Sequence, residues 1–409
     1  MKNGFRNNIM KLFSGSLLSQ VVWMASMMFL VRIYQPENFA TYQMFISTMN
    51  ILAIFATARY DNAIIVPKYK WQATQILFLS ISVSTAFFLI MELCLYFGEI
   101  IYFRIYGVYD CIWSYLPISV FLISVYSCLY NWYVRERRYT LISIVVFIFP
   151  ILYLFFCIIM KKFFNVEEGL IFSFLISRFL EVFVLLIIYI RENNIRKIKY
   201  VTLRRCAFRY INFPKYMLVG GFVDTASSSV PVYFLNYFFG KEITGYYSIA
   251  MQALSAPAAL VAKSVGDVFR QRIGELYSHN QNTRDFFDRN MILLVKISLI
   301  VAFCVIFFAP QMYVFAFGEQ WYYSGELSRY MILGVCLSLI ASPLSSIYIV
   351  SYNQKMYLFM QIAYLISTFT GIIIGKIFFG SVEWSLLIVS IEVSITSIIS
   401  IYRGRMITF

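Results

Sequence analysis

Residues Gly15–Tyr42, GSLLSQVVWMASMMFLVRIYQPENFATY, and Gly220–Tyr247, GGFVDTASSSVPVYFLNYFFGKEITGYY, read as two versions of one motif. An offset of 205, half of the 409-residue chain, lays Gly15 on Gly220, Phe29 on Phe234, Leu30 on Leu235, Glu37 on Glu242 and Tyr42 on Tyr247. In both copies an apolar run stops at a short polar turn before the next begins. A motif repeated at half length predicts a chain built from two equivalent halves. In an apolar chain this is the organisation of transporters, whose lobes enclose a central cavity.

Composition supports a bilayer setting. Hydrophobic residues make up 61% of the sequence and charged ones 13%, with mean hydropathy +0.73. Water could not solvate that much apolar surface, and a spanning helix needs about 20 such residues. Spans are expected near 12–33, 43–66, 73–97, 113–134, 141–162 and 168–190, and again near 216–238, 244–268, 290–317, 327–350, 356–379 and 382–402. The expected fold is an all-α polytopic membrane protein, with about twelve transmembrane helices in two pseudo-symmetric six-helix lobes around a central cavity. The lobes would be residues 1–190 and 216–409, joined by a basic cytoplasmic linker at 191–215.

The net charge of +14 suggests nucleic acid until it is mapped onto that topology. With both termini cytoplasmic, the inner segments hold 24 of the 34 Lys and Arg and six acids, whereas the outer loops hold six cations and nine acids. Such asymmetry is the positive-inside pattern. The basic character therefore reports orientation in a membrane, with both termini on the cytoplasmic side, and no nucleic-acid partner is expected. The linker RENNIRKIKYVTLRRCAFRYINFPK carries eight cations with interleaved apolar residues. It reads either as an interfacial segment on the anionic inner leaflet or as a linker that obeys the charge rule.

Seven cysteines without paired spacing and a single histidine, His279, in a polar loop predict no metal site and no cofactor. The chain has no nucleotide-binding loop, no nucleophile elbow and no zinc-protease motif. An enzyme is not expected, and transport would draw on a gradient. The N-terminal run is longer than a signal peptide and is itself part of the repeat, so an uncleaved first helix is expected. Residues Val265, Phe269, Ile273 and Leu276 form a helical stripe opposite Arg270, Arg272 and Glu275, which reads as an amphipathic tail of span eight on the inner surface.

Charges within spans cost roughly 2.5–3.5 kcal/mol each and so mark functional candidates. Arg59 and Asp61 fall at the end of the second span, two residues apart and thus on different helix faces. Arg59 either snorkels to the inner interface or pairs by symmetry with Lys263, one residue off the 205 register, as a cation for an anionic head group. Arg178 and Glu181, three apart in the sixth span, read first as a mutual ion pair. Asp224 in the seventh span has no cation one turn away in sequence; it pairs across helices or takes a proton. Glu392 in the twelfth is similarly isolated, and both are candidates for proton or cation coupling.

Two stretches carry a family resemblance. RIYQPENFATYQMF with ARYDNAIIVPK, and FPKYM followed by SSVPVYFLNYFFGKEITGYYSIAMQALSAPAALVAKSVGDVFRQR, together cover roughly 120 residues. They resemble bacterial polysaccharide exporters of the O-antigen flippase (Wzx) type, in the polysaccharide transporter family of the multidrug/oligosaccharidyl-lipid/polysaccharide exporter superfamily. Ala40 stands where that pattern has Gly, although Gly245 keeps it in the second copy. The resemblance implies alternating access that carries an undecaprenyl-diphosphate-linked oligosaccharide from inner to outer leaflet. The partners it implies are that lipid-linked oligosaccharide, the membrane, and other polysaccharide-assembly membrane proteins (polymerase, chain-length regulator). Arg59, Lys263 and Arg178 would meet the diphosphate, with Asp61, Glu181, Asp224 and Glu392 lining the cavity or coupling. The alternatives are a drug or cation exporter of the same superfamily, whose cavity should be acidic, and an O-unit polymerase, which should carry a large outer loop.

Overall fold

A computed structural model describes residues 2–106, 111–164, 168–193, 200–279, 281–351 and 353–408. All regular structure among them is helical. The long helices are α1 (Lys2–Ile33), α2 (Pro36–Ala56), α3 (Lys70–Tyr106), α4 (Leu116–Arg135), α5 (Tyr139–Phe164) and α6 (Gly169–Glu192), then α7 (Leu218–Phe239), α8 (Lys241–Ser278), α9 (Arg284–Phe317), α10 (Tyr322–Leu344), α11 (Gln354–Phe379) and α12 (Val382–Ile407). Among the described residues these twelve agree with the number of spans expected. Nine of them are long and apolar enough to cross a membrane, and α1 adds the shorter apolar stretch Leu18–Ile33. The remaining two, α7 and α8, are diluted by Asp224, Ser227, Ser228 and Ser229 in one and by Lys241, Glu242 and Gln252 in the other. Exposed Phe303, Phe307, Phe308 and Phe315 along α9, and Ile377 with Phe378 on α11, need acyl chains as their solvent.

The chain divides into two compact units. The first comprises residues 1–30 and 44–225, the second 31–43 and 226–409. In the first unit Leu77, Leu129, Trp132, Tyr133, Leu185 and Tyr189 form the centre of a core contributed by α3, α4 and α6. Trp132 meets Tyr189 edge-on, and the Tyr133 hydroxyl donates to the Leu185 carbonyl at 2.9 Å. The π-turn Phe213–Met217 leads from the inter-span segment into α7.

In the second unit the α1–α2 turn is held by residues nearly 290 positions later in the chain. Trp321 Nε1 and Gln320 Nε2 both donate to the Val31 carbonyl at 2.8 Å, and Phe39 packs edge-on against Trp321. A Cβ at Gly245 would stand 2.0 Å from the Pro36 carbonyl oxygen, so the retained glycine of the repeat is what lets α8 touch this turn. On α11, Gly371 and Gly375 lie one turn apart, and Cβ atoms there would come within 2.8 Å of Val389 and 2.3 Å of Ser385 on α12. This close approach of small residues is how apolar helices gain packing energy when burial from water contributes little. Helices α9 and α11 stop at Gly318 and Gly380, both at positive φ (106° and 69°).

Two sequence expectations change. The second span does not continue to residue 66: α2 ends at Ala56, and a short helix, Tyr60–Ala63, follows a turn. The stripe at the end of α8 is not a membrane-surface tail. Phe269, Ile273 and Leu276 are buried, and the first two join Phe287, Leu339, Leu344 and Tyr348 in the core of the second unit, leaving Arg270, Arg272 and Glu275 exposed.

Candidate functional site

The turn that ends α2 is the most constrained backbone in the first unit. Ala58 and Arg59 both have positive φ, 46° and 59°, a region that costs non-glycine residues about 1–3 kcal/mol. Surrounding hydrogen bonds hold it there. Ser84 on α3 donates to the Ala56 carbonyl at 3.2 Å, the Arg59 amide donates to Thr57 Oγ1 at 3.2 Å, and the Tyr60 hydroxyl reaches the Ala207 carbonyl at 3.1 Å. Asp61 is central to this arrangement. It is 4% exposed, and its two oxygens accept from Thr57 Oγ1 at 2.9 Å and Ser127 Oγ at 2.6 Å. The carboxylate thus ties the turn to α4.

With its backbone turned out of the helix, the half-buried Arg59 lays its guanidinium on α7. A Cβ at Gly221 would fall 2.1 Å from Arg59 Nη2 and 2.8 Å from Cζ. Asp224 lies on the same face of α7, three residues on, and the Arg59 charge acts on its carboxylate. The third cation candidate, Lys263, lies on α8, and its side chain is outside the described residues.

Arg178 and Glu181 on α6 form the mutual ion pair that their spacing suggests. Both are buried, at 9% and 5% exposure. The guanidinium is stacked 4.1 Å from the ring centroid of Phe149 on α5 and 4.4 Å from that of Tyr126 on α4. Arg178 Nε and Glu181 Oε1 have no hydrogen-bond partner. The pair borders a cavity of 340 Å³ inside the first unit, completed by Ser19, Gln20 and Trp23 of α1, Tyr126, and Val146 and Pro150 beside Phe149. Trp23 stacks on Tyr153 and Phe149 with centroids 5.4 and 6.4 Å apart. In the second unit, Glu392 is half-buried and accepts from Thr370 Oγ1 of α11 at 2.7 Å. No group of three or more potential metal-binding side chains occurs among the described residues.

Sequence reasoning singled out the charged members of these sites but missed Thr57, Ser127, Gly221, Trp23, Tyr126 and Phe149. A serine, a glycine or an aromatic residue in an apolar helix carries no signal until its neighbours are known.

The fold is that of MOP-superfamily transporters. A lipid II flippase, MurJ, in an inward closed conformation aligns with a TM-score of 0.73 at 16% identity, over 96% of this chain and 86% of that one. An inward-facing multidrug-resistance MATE transporter aligns at 0.68 and 15% identity, over 96% and 94%. A MOP-superfamily transporter from Pyrococcus furiosus aligns at 0.66 and 13%, over 98% and 95%. No curated protein matches the sequence. The profile of the polysaccharide biosynthesis protein family matches residues 29–326. The chain belongs to that family, and it is a multi-span membrane protein.

Proposed function

We propose that this protein is a flippase that moves an undecaprenyl-diphosphate-linked oligosaccharide, the repeat unit of an O-antigen or another surface polysaccharide, from the inner to the outer leaflet of the cytoplasmic membrane by alternating access. Arg59 is the observation that carries the reading. A strained turn presents its guanidinium over a face of α7 that lacks a Cβ at Gly221. Guanidinium is the side chain best matched to phosphate oxygens, since it offers parallel donors. The Asp224 carboxylate lies within electrostatic reach of Arg59, and the diphosphate competes with it for the guanidinium. Lys263, one residue off the repeat register from Arg59, is the corresponding cation candidate in the second unit. Arg178 is assigned no part in binding the diphosphate, because Glu181 already answers its charge. Glu392 remains the candidate for ion coupling in the second unit.

The test is complementation of a deletion strain, reading surface polysaccharide and drug tolerance together. Arg59→Ala should lower polysaccharide export on the order of 10- to 100-fold, the loss expected for a charged hydrogen bond, while Arg59→Lys retains part of it. Drug tolerance should not move. Normal polysaccharide with altered drug tolerance would establish the drug exporter instead, and short unpolymerised units on the surface would establish a polymerase.

A further inference from the structure

We infer that the cavity inside the first unit is a binding site for an uncharged pyranose ring, the glycan end of the cargo; this rests on the flippase reading and adds a second, separate contact to it. Three features of the cavity point to a sugar. Its charge is balanced: among the described residues Arg178 and Glu181 are its only charged lining groups, and they pair with each other. Such a lining attracts neither a phosphate nor an organic cation, since each would meet one repelling charge for every attracting one.

The polar groups are also left in a particular state. Arg178 Nε is a buried donor and Glu181 Oε1 a buried acceptor, and neither has a hydrogen-bond partner. Leaving such groups unpaired costs about 1–3 kcal/mol each, more for charged ones. A hydroxyl both accepts and donates, so adjacent hydroxyls on one ring can satisfy both with a small opening of the pair. An apolar ligand would satisfy neither.

The remaining wall is aromatic. Trp23 and Tyr126 are half-buried at the cavity, and Phe149 lies between Trp23 and the guanidinium. A pyranose has an apolar C–H face that packs on such rings and a rim of hydroxyls for the polar groups. At 340 Å³ the cavity is at the small end of ligand pockets, about 300–1,000 Å³. It has room for a short piece of glycan. Gln20, one turn from Trp23 on α1, adds an amide to the rim.

The experiment uses the full chain in nanodiscs and three probes. They are the oligosaccharide released by mild acid from the host's lipid-linked pool, the intact lipid-linked oligosaccharide, and bare undecaprenyl diphosphate. The expected result is that Trp23→Leu and Arg178→Lys weaken binding of the first two probes on the order of tenfold, the worth of one well-made contact. Bare undecaprenyl diphosphate should bind these variants as it binds wild type, and Trp23→Phe should stay close to wild type. A diazirine derivative of the released oligosaccharide, used on wild-type protein, removes any dependence on variant folding. Its cross-links should map to α1 around residues 19–23 and to α5 around 146–150. Equal weakening of all three probes, absence of oligosaccharide binding by wild type, or cross-links confined to other helices would overturn the assignment. Arg59→Ala separates the two readings. If it leaves the lipid probes bound while the sugar still labels the cavity, the diphosphate reading falls and the pocket stands. If it abolishes bare lipid binding while the sugar labels elsewhere, the pocket falls and the flippase reading stands.

Discussion

Thr57, Asp61 and Ser127 show how one carboxylate in an apolar setting can be structural. Both Asp61 oxygens are engaged by hydroxyls, and the residue is nearly inaccessible. Replacing it with alanine strands the buried Thr57 hydroxyl and the half-buried Ser127 hydroxyl. Asp61→Ala should therefore destabilise the protein by about 2–3 kcal/mol, read as a lower thermal midpoint in detergent, and Asp61→Asn should cost less because its amide oxygen still accepts. Loss of transport without loss of stability in Asp61→Asn would return Asp61 to the list of coupling residues. Cys206 gives a second residue-level expectation. It lies in the helix Tyr200–Arg209, with its thiol against Gln75 Oε1 at 3.1 Å. Burial pushes the thiol pKa up, and the Arg209 charge pulls it partly back. Thiolate is thus scarce at neutral pH and grows as pH rises, and the thiolate is the form that reacts. In a variant with Cys206 as sole cysteine, maleimide labelling should be slow at pH 7 and accelerate toward pH 9. Arg209→Ala should slow it further; faster labelling in that variant would show that access, not charge, limits the reaction.

Among the elements, the seam between α11 and α12 leaves no room for a Cβ at two successive turns. Gly371 and Gly375 face backbone atoms of the partner helix, which cannot swing aside as a side-chain tip can. Gly375→Leu should therefore separate the helices and abolish the folded second unit, seen as loss of expression and of protease protection, while Gly220→Leu, where a Cβ meets nothing within 4 Å, should be tolerated. Some element-level features were legible in the sequence. The i, i+3 spacing of Arg178 and Glu181 fixes them on one helical face, so their pairing follows from geometry alone. The stripe on α8 was equally legible as an amphipathic face. Its partner was not, because periodicity says that a face is apolar without saying whether lipid or Phe287 and Tyr348 will cover it. The end of α2 was hidden for a related reason. The apolar Ile64–Val66 run hides the polar break at Arg59–Asn62, and the turn there is held by hydroxyls from Ser84 and Ser127, which lie on other helices.

On the scale of the whole molecule, charge asymmetry makes the strongest claim. With 24 of the 34 cations on one side, both termini should be cytoplasmic. Reporter fusions at each end should be active only in forms that work in the cytoplasm; periplasmic activity at either end would overturn the topology. The helical class, the twelve long helices and the internal repeat were determined by sequence alone, because apolar length and periodicity are properties of consecutive residues. Tertiary structure alone decided the rest. It joined residues 31–43 to the second unit through Trp321 and Gly245, set Arg59 over Gly221, and gathered an aromatic pocket around Arg178 and Glu181. Each of these brings together side chains from separate helices. Their neighbours are chosen by packing, and packing leaves no trace in the spacing of residues along one strand of sequence.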